Sequence, residues 1–131
     1  MCWVNYMAIP IVLKKPLRVY KVGTSTVFGN FISLYQNFVY NKYKVMPTIR
    51  INPYFERSYP IACFTRKLSS QDIFYIDEGY HSYLTEERAE YKRGDNEIGI
   101  FEIPSGATIY VNYMFREVVS TDIKYLGLLK L

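Results

Sequence analysis

The chain has 131 residues, half of them hydrophobic, which suits one globular domain with a real core. Charged residues make up 21% and aromatics 18%, with 14 tyrosines. This excludes a disordered, collagenous, coiled-coil or disulfide-dense chain and favours pleated, half-buried surfaces. The net charge of +4 hides a split: residues 1–70 hold ten Lys/Arg against one acid, Glu56, and residues 71–131 hold six against eleven acids. Such asymmetry marks an anion- or nucleic-acid-binding face if the halves stay apart, and averages out if they interleave in one fold.

At the start, Met1-Cys2-Trp3 lacks a basic leader, and the apolar run 7–13 is short and broken by Pro10. Neither a signal peptide nor a membrane span is expected. Cys2 and Cys63 are too few and too far apart for a zinc site or a redox pair, so reduced thiols in a cytoplasm are expected. Pro10 and Pro16 bracket a lead-in or edge strand over 11–15. Residues 17–22 read as a strand, with Leu17, Val19 and Lys21 on one face and Arg18, Tyr20 and Val22 on the other. Gly23 to Thr26 reads as its break. Phe31, Leu34, Tyr35 and Phe38 have helical spacing, which predicts a short helix or turn over 31–36, followed by a strand over 38–45. Short strands are expected over 48–52, 61–65 and 73–77.

The clearest helix is 85–93. Thr85 suits the N-cap, Glu86 and Glu87 the first turn, Lys92 and Arg93 the last, and Gly94 the stop. Strands follow over 97–103 and 107–113, joined by Pro104-Ser105-Gly106, which suits a type I turn with Pro second and Gly fourth. Strands over 117–120 and 123–129 close the chain. The expected fold class is α+β: a single β-rich domain over 1–131 with a mixed or antiparallel sheet and one or two short helices. The expected core is Val19, Tyr20, Val22, Phe38, Ile61, Phe64, Ile73, Phe74, Ala89, Ile98, Ile100, Phe101, Ile103, Ile109, Val111, Val118 and Ile123.

The chain carries no GxGxxG, no P-loop, no GxSxG and no run of basic residues interleaved with aromatics. His81 is the only histidine, which excludes HExxH and most zinc sites, and no metal site is expected. What remains is Glu78-Gly79-Tyr80-His81-Ser82-Tyr83, just before the helix. Free N–H groups and the positive dipole end of a helix attract anions. His81, Ser82 and Thr85 could bind such a group, and Tyr80, Tyr83 and Tyr110 could stack on a ring. The ordinary alternative is that Ser82 or Thr85 caps the helix, His81 packs, and the tyrosines fill sheet faces. Arg18 and Lys21 stand out among the basic residues because they lie on a strand that can line a cleft.

Met1-Cys2-Trp3, the strand Arg18-Val19-Tyr20-Lys21-Val22, Gly79-Tyr80-His81-Ser82-Tyr83 and Ile103-Pro104-Ser105-Gly106 occur in this order along nearly the whole chain. In these features it resembles a family of small proteins from gut Bacteroidetes and their phages, which have no assigned activity. That resemblance implies a cytoplasmic, phage-associated protein. A more distant resemblance is to mono-ADP-ribosyltransferases. Their early strand ends in arginine or histidine, as Val19-Tyr20-Lys21 ends in lysine. A serine-bearing strand before an Ala-bearing helix matches Ser82 and Ala89. A strand ending Ile-Pro-x-Gly matches 103–106, and a glutamate leading a strand matches Glu117. The resemblance implies that Lys21 stands at the NAD-binding arginine, Ser82 at the serine and Glu117 at the catalytic glutamate, with NAD as cofactor. Phe115, two residues before Glu117, departs from the paired acids of the arginine-specific members.

Taken together, the residues favour a binding protein that engages a protein partner or an anionic nucleotide-like ligand without catalysis, through Arg18, Lys21, Tyr80, His81, Ser82 and Thr85. On that reading there is no cofactor, no membrane, and nucleic acid is not the favoured partner. The alternatives are an ADP-ribosyltransferase-like enzyme using NAD, with Glu117 catalytic, and a virion structural protein.

Overall fold

The computed structural model describes residues 10–35, 38–55 and 74–130. Among these residues, eleven strands and one helix run in the order β1 (Ile11–Val12), β2 (Leu17–Ser25), β3 (Phe31–Ser33), β4 (Val39–Tyr40), β5 (Tyr54–Phe55), β6 (Phe74–Tyr75), β7 (Tyr80–Tyr83), α1 (Glu86–Arg93), β8 (Glu97–Ile103), β9 (Thr108–Asn112), β10 (Glu117–Ser120) and β11 (Lys124–Leu128). This is the expected β-rich α+β class, and among the described residues every pairing between these strands is antiparallel. Among the same residues, no helix is long and apolar enough to cross a membrane.

The main sheet runs β1-β9-β10-β7-β2-β3-β4, with β8 also on β2 and β11 on β8. The first-half strand β2 therefore sits among second-half strands, and in this sheet the basic and acidic halves interleave. Past β4 the chain curls round, so that Lys42 and Val45 bridge to Tyr125 and Lys124 of β11. That curl encloses Phe31, Tyr40, Phe101 and Tyr125, whose rings meet edge-on or tilted at 4.9–5.5 Å. Val19, Tyr80, Ile103, Ile109, Val111, Val118 and Ile123 complete this core. On the other face of β2, Val22 packs with Ala89 of α1 and Ile98.

The helix forms where its local signals place it. The Thr85 hydroxyl accepts from the Arg88 N–H at 3.2 Å, acids fill the first turn and bases the last. Gly94 ends it at φ +57°. Thr85→Ala should lower stability by about 1 kcal/mol without altering the sheet, read as a shift in the urea midpoint at constant m-value.

Several expected elements differ. Gly23 does not break β2, because the strand continues to Ser25. A Cβ at Gly23 would lie 2.1 Å from the Ile32 carbonyl and 2.9 Å from the Phe31 ring, so glycine permits β3 to close on β2. Of the short helix or turn expected over 31–36, the structure forms strand β3 and then a turn at 34–35. The turn carries the chain back so that the Ser33 N–H bonds the Phe38 carbonyl. The strand expected over 38–45 is confined to β4, and 48–52 is not strand. The turn after β8 closes one residue later than expected, from the Ala107 N–H to the Pro104 carbonyl. Gly106 thus stands third with φ +86°, where glycine is needed.

Of the expected core, Tyr20, Phe38 and Ile100 are half-buried. Ile61, Phe64, Ile73 and the strand over 61–65 lie outside the described residues, as do Cys2 and Cys63. Phe31, Tyr40, Ile76, Tyr80 and Tyr125 are core residues that were not anticipated.

Candidate functional site

Strand β2 has two edges. One carries β8 from Leu17 to Gly23 without interruption. The other pairs with β7 at a single position, Tyr20 opposite Tyr83, and then with β3 from Gly23 to Ser25. Continuing the first register would set Lys21 opposite Ser82. Instead the strands part at that step, and the β3 turn enters from the far side, its Leu34 N–H bonding the Val22 carbonyl. The result is a cavity of about 300 Å³ lined by Lys21 and Val22 of β2, Ser33, Leu34 and Tyr35 of β3 and its turn, His81, Ser82 and Tyr83 of β7, Glu117 of β10 and Lys92 of α1.

The polar residues here are deeply set. Lys21, His81, Ser82 and Glu117 are 3%, 8%, 4% and 4% exposed. The Lys21 ammonium donates to the His81 carbonyl and lies 5.3 Å from the Tyr40 ring centre and 5.8 Å from that of Phe101. Burial drives the lysine down to about 7. The His81 Nε2 faces the Asp77 carbonyl at 3.3 Å and so carries the proton there, leaving Nδ1 as a bare acceptor. Burial, with the Lys21 charge second, pushes this imidazole down to about 3, so it is neutral at physiological pH. His81 Nδ1 and Ser82 Oγ are buried without a hydrogen-bond partner. Each orphaned group of this kind costs about 1–3 kcal/mol, a cost that a ligand completing the bond would remove. Glu117 opens β10 with its backbone held between Tyr83 on one side and Asn112 on the other.

The structure brings together four of the seven expected site residues: Lys21, His81, Ser82 and Glu117. Arg18 is a correction. It is exposed, opposite Glu102 in the ladder, because strand alternation sends it to the face away from Lys21. Tyr80 is another, since its ring is core and its hydroxyl bonds the Pro47 carbonyl at 2.6 Å. Thr85 is spent on the helix cap. Residues 80–83, expected to lead as polar residues into the helix N-terminus, form the internal strand β7. Of the three expected stacking tyrosines, only Tyr83 lines the cavity. Ser33, Tyr35 and Lys92 were missed. Nothing local marks them, because they reach the cleft through the β3 turn and α1. No cluster of three or more His, Cys, Asp or Glu among the described residues is placed to hold a metal.

The chain matches no family model, and neither curated proteins nor solved structures show a significant similarity to it.

Proposed function

We propose that this cleft binds the nicotinamide end of NAD and that the chain acts as an ADP-ribosyltransferase-like enzyme. One observation carries the reading. The three residues that the resemblance assigns to NAD handling come from separate segments, and Lys21, Ser82 and Glu117 nevertheless line one cavity. The mixed donor and acceptor set also suits a nucleoside: the Lys21 amine donates, Ser82 does either, and His81 Nδ1 accepts. The volume lies at the lower end for small-ligand sites and suits one nucleoside moiety. In this reading the Glu117 carboxylate faces the positive charge that develops at the ribose C1 as nicotinamide leaves, and Ser82 holds the reacting group beside it.

A second reading keeps the pocket and drops the reaction. A lysine lacks the planar fork with which arginine grips a phosphate, and the Lys21 nitrogen is already engaged by the His81 carbonyl. On that basis the protein would bind a nucleotide-like anion and release it unchanged.

Thermal shift tests the pocket. NAD or ADP-ribose at about 100 times its Kd should stabilise the fold by about 2.7 kcal/mol, or several degrees. Ser82→Ala should weaken that shift without destabilising the free protein, since it deletes a hydroxyl that has no partner. No shift with either ligand at millimolar concentration would overturn both readings. A shift with NAD that leaves the dinucleotide intact over hours would select the second.

A further inference from the structure

We propose that Lys21 is a nucleophilic amine that captures the aldehyde carbon of an anionic ligand in this cleft as an imine. The anionic character of the ligand rests on the reading above; the imine chemistry goes beyond it.

The setting of Lys21 is that of a reactive amine rather than of a surface cation. The residue is 3% exposed yet lines a cavity. Among the described residues no carboxylate lies within ion-pair distance of it. Its nitrogen sits against two aromatic rings and one carbonyl, none of which carries a negative charge to hold the proton. A lysine desolvated in this way presents a free lone pair near neutral pH, the condition for adding to a carbonyl. The surrounding titratable groups are Tyr40 of β4, Tyr35 of the β3 turn, His81 and Tyr83 of β7, Glu117 of β10 and Lys92 of α1. His81 is neutral at physiological pH, burial holds the Tyr40 and Tyr83 phenols protonated, and Lys92 brings a further basic side chain to the cavity.

The step balances without a redox partner. The Lys21 lone pair forms a bond to the aldehyde carbon, and the carbonyl π electrons move to oxygen. A proton passes from nitrogen to that oxygen, giving a carbinolamine to which the partnerless Ser82 hydroxyl can bond. The C–O bond then breaks, water leaves with a second proton, and C=N forms. ADP-ribose with its ribose ring open carries such an aldehyde at C1, so the product of NAD cleavage belongs to this ligand class.

The test uses the whole wild-type chain with pyridoxal 5′-phosphate, an anionic aldehyde, trapped by borohydride and mapped by mass spectrometry. Lys21 should be labelled at least about tenfold faster than the exposed Lys14, Lys15, Lys42 and Lys44 at pH 7.5, because far more of it is free amine. Its rate should level off by about pH 8, as the Lys21 amine becomes fully deprotonated. Urea should abolish the preference, and ADP-ribose should protect. Labelling of Lys21 no faster than of exposed lysines would overturn the proposal, even if ADP-ribose gives a thermal shift. Selective labelling without protection by ADP-ribose or NAD would leave the amine in place and sink the NAD reading instead.

Discussion

Glu117→Gln is expected to lower nicotinamide release from NAD about 100- to 1,000-fold while leaving the ADP-ribose thermal shift nearly unchanged. Glutamine keeps the shape and removes the charge, and one electrostatic stabiliser of a transition state is worth about that much. The position argues for a small structural effect. Glu117 opens a strand whose backbone is paired on both edges, so its side chain starts from a fixed point whichever residue occupies it. A loss confined to kcat would identify an interaction made in the transition state; a rise in KM alone would identify simple ligand contact. Single-turnover nicotinamide release is the measurement, and undiminished turnover in Glu117→Gln would remove this residue from the chemistry.

The second large effect is on stability. Between pH 7 and pH 9 the wild-type fold should gain about 2 kcal/mol, a gain absent in Lys21→Met. The folded chain releases the Lys21 proton near pH 7, whereas the unfolded chain holds it to about 10.5. Between those values the unfolded state binds more protons, so stability rises with pH and is fully present only above the unfolded value. Below pH 7 both states are protonated and this slope vanishes. Lys21→Met should therefore be more stable than wild type at pH 7, since an apolar chain of similar length replaces a buried cation. His81 acts in a separate window. Its folded value near 3 against 6.5 makes stability fall as pH drops below about 6.5. Urea midpoints from pH 5 to 9 read both, and that range stops short of Tyr40, Tyr83 and Tyr110, whose raised values take stability away above pH 10. A flat profile between pH 7 and 9 would show that Lys21 is solvated or paired in solution.

The residues that were legible in the chain are those whose signals are local. Helix α1 carries its cap, its charge order and its stop within ten consecutive positions, and it forms there. Strands β8 and β10 match their expected bounds. Strand β7 was read as a strand only through the transferase resemblance, because His81 and Ser82 put polar groups where an internal strand would show hydrophobic ones. The mismatch lies at the cleft, which both residues line. The spacing over 31–38 suits a helix or a turn, and the turn formed: a hairpin between β3 and β4 brings Phe31 and Phe38 to the core and sends Tyr35 to the cleft against His81.

By itself the sequence determined the β-rich class, the helix with both its ends, and the opposition of Arg18 to Lys21 on one strand, since each follows from composition or from periodicity along a few residues. Only the tertiary structure decided which of those two faces is buried, and that Lys21, Ser82 and Glu117 share one cavity. The physical reason is that the cleft is made by a change of partner along one edge of β2, from β7 to β3. Pairing between strands distant in the chain depends on how the whole sheet closes around its aromatic core, and no short stretch of residues encodes it.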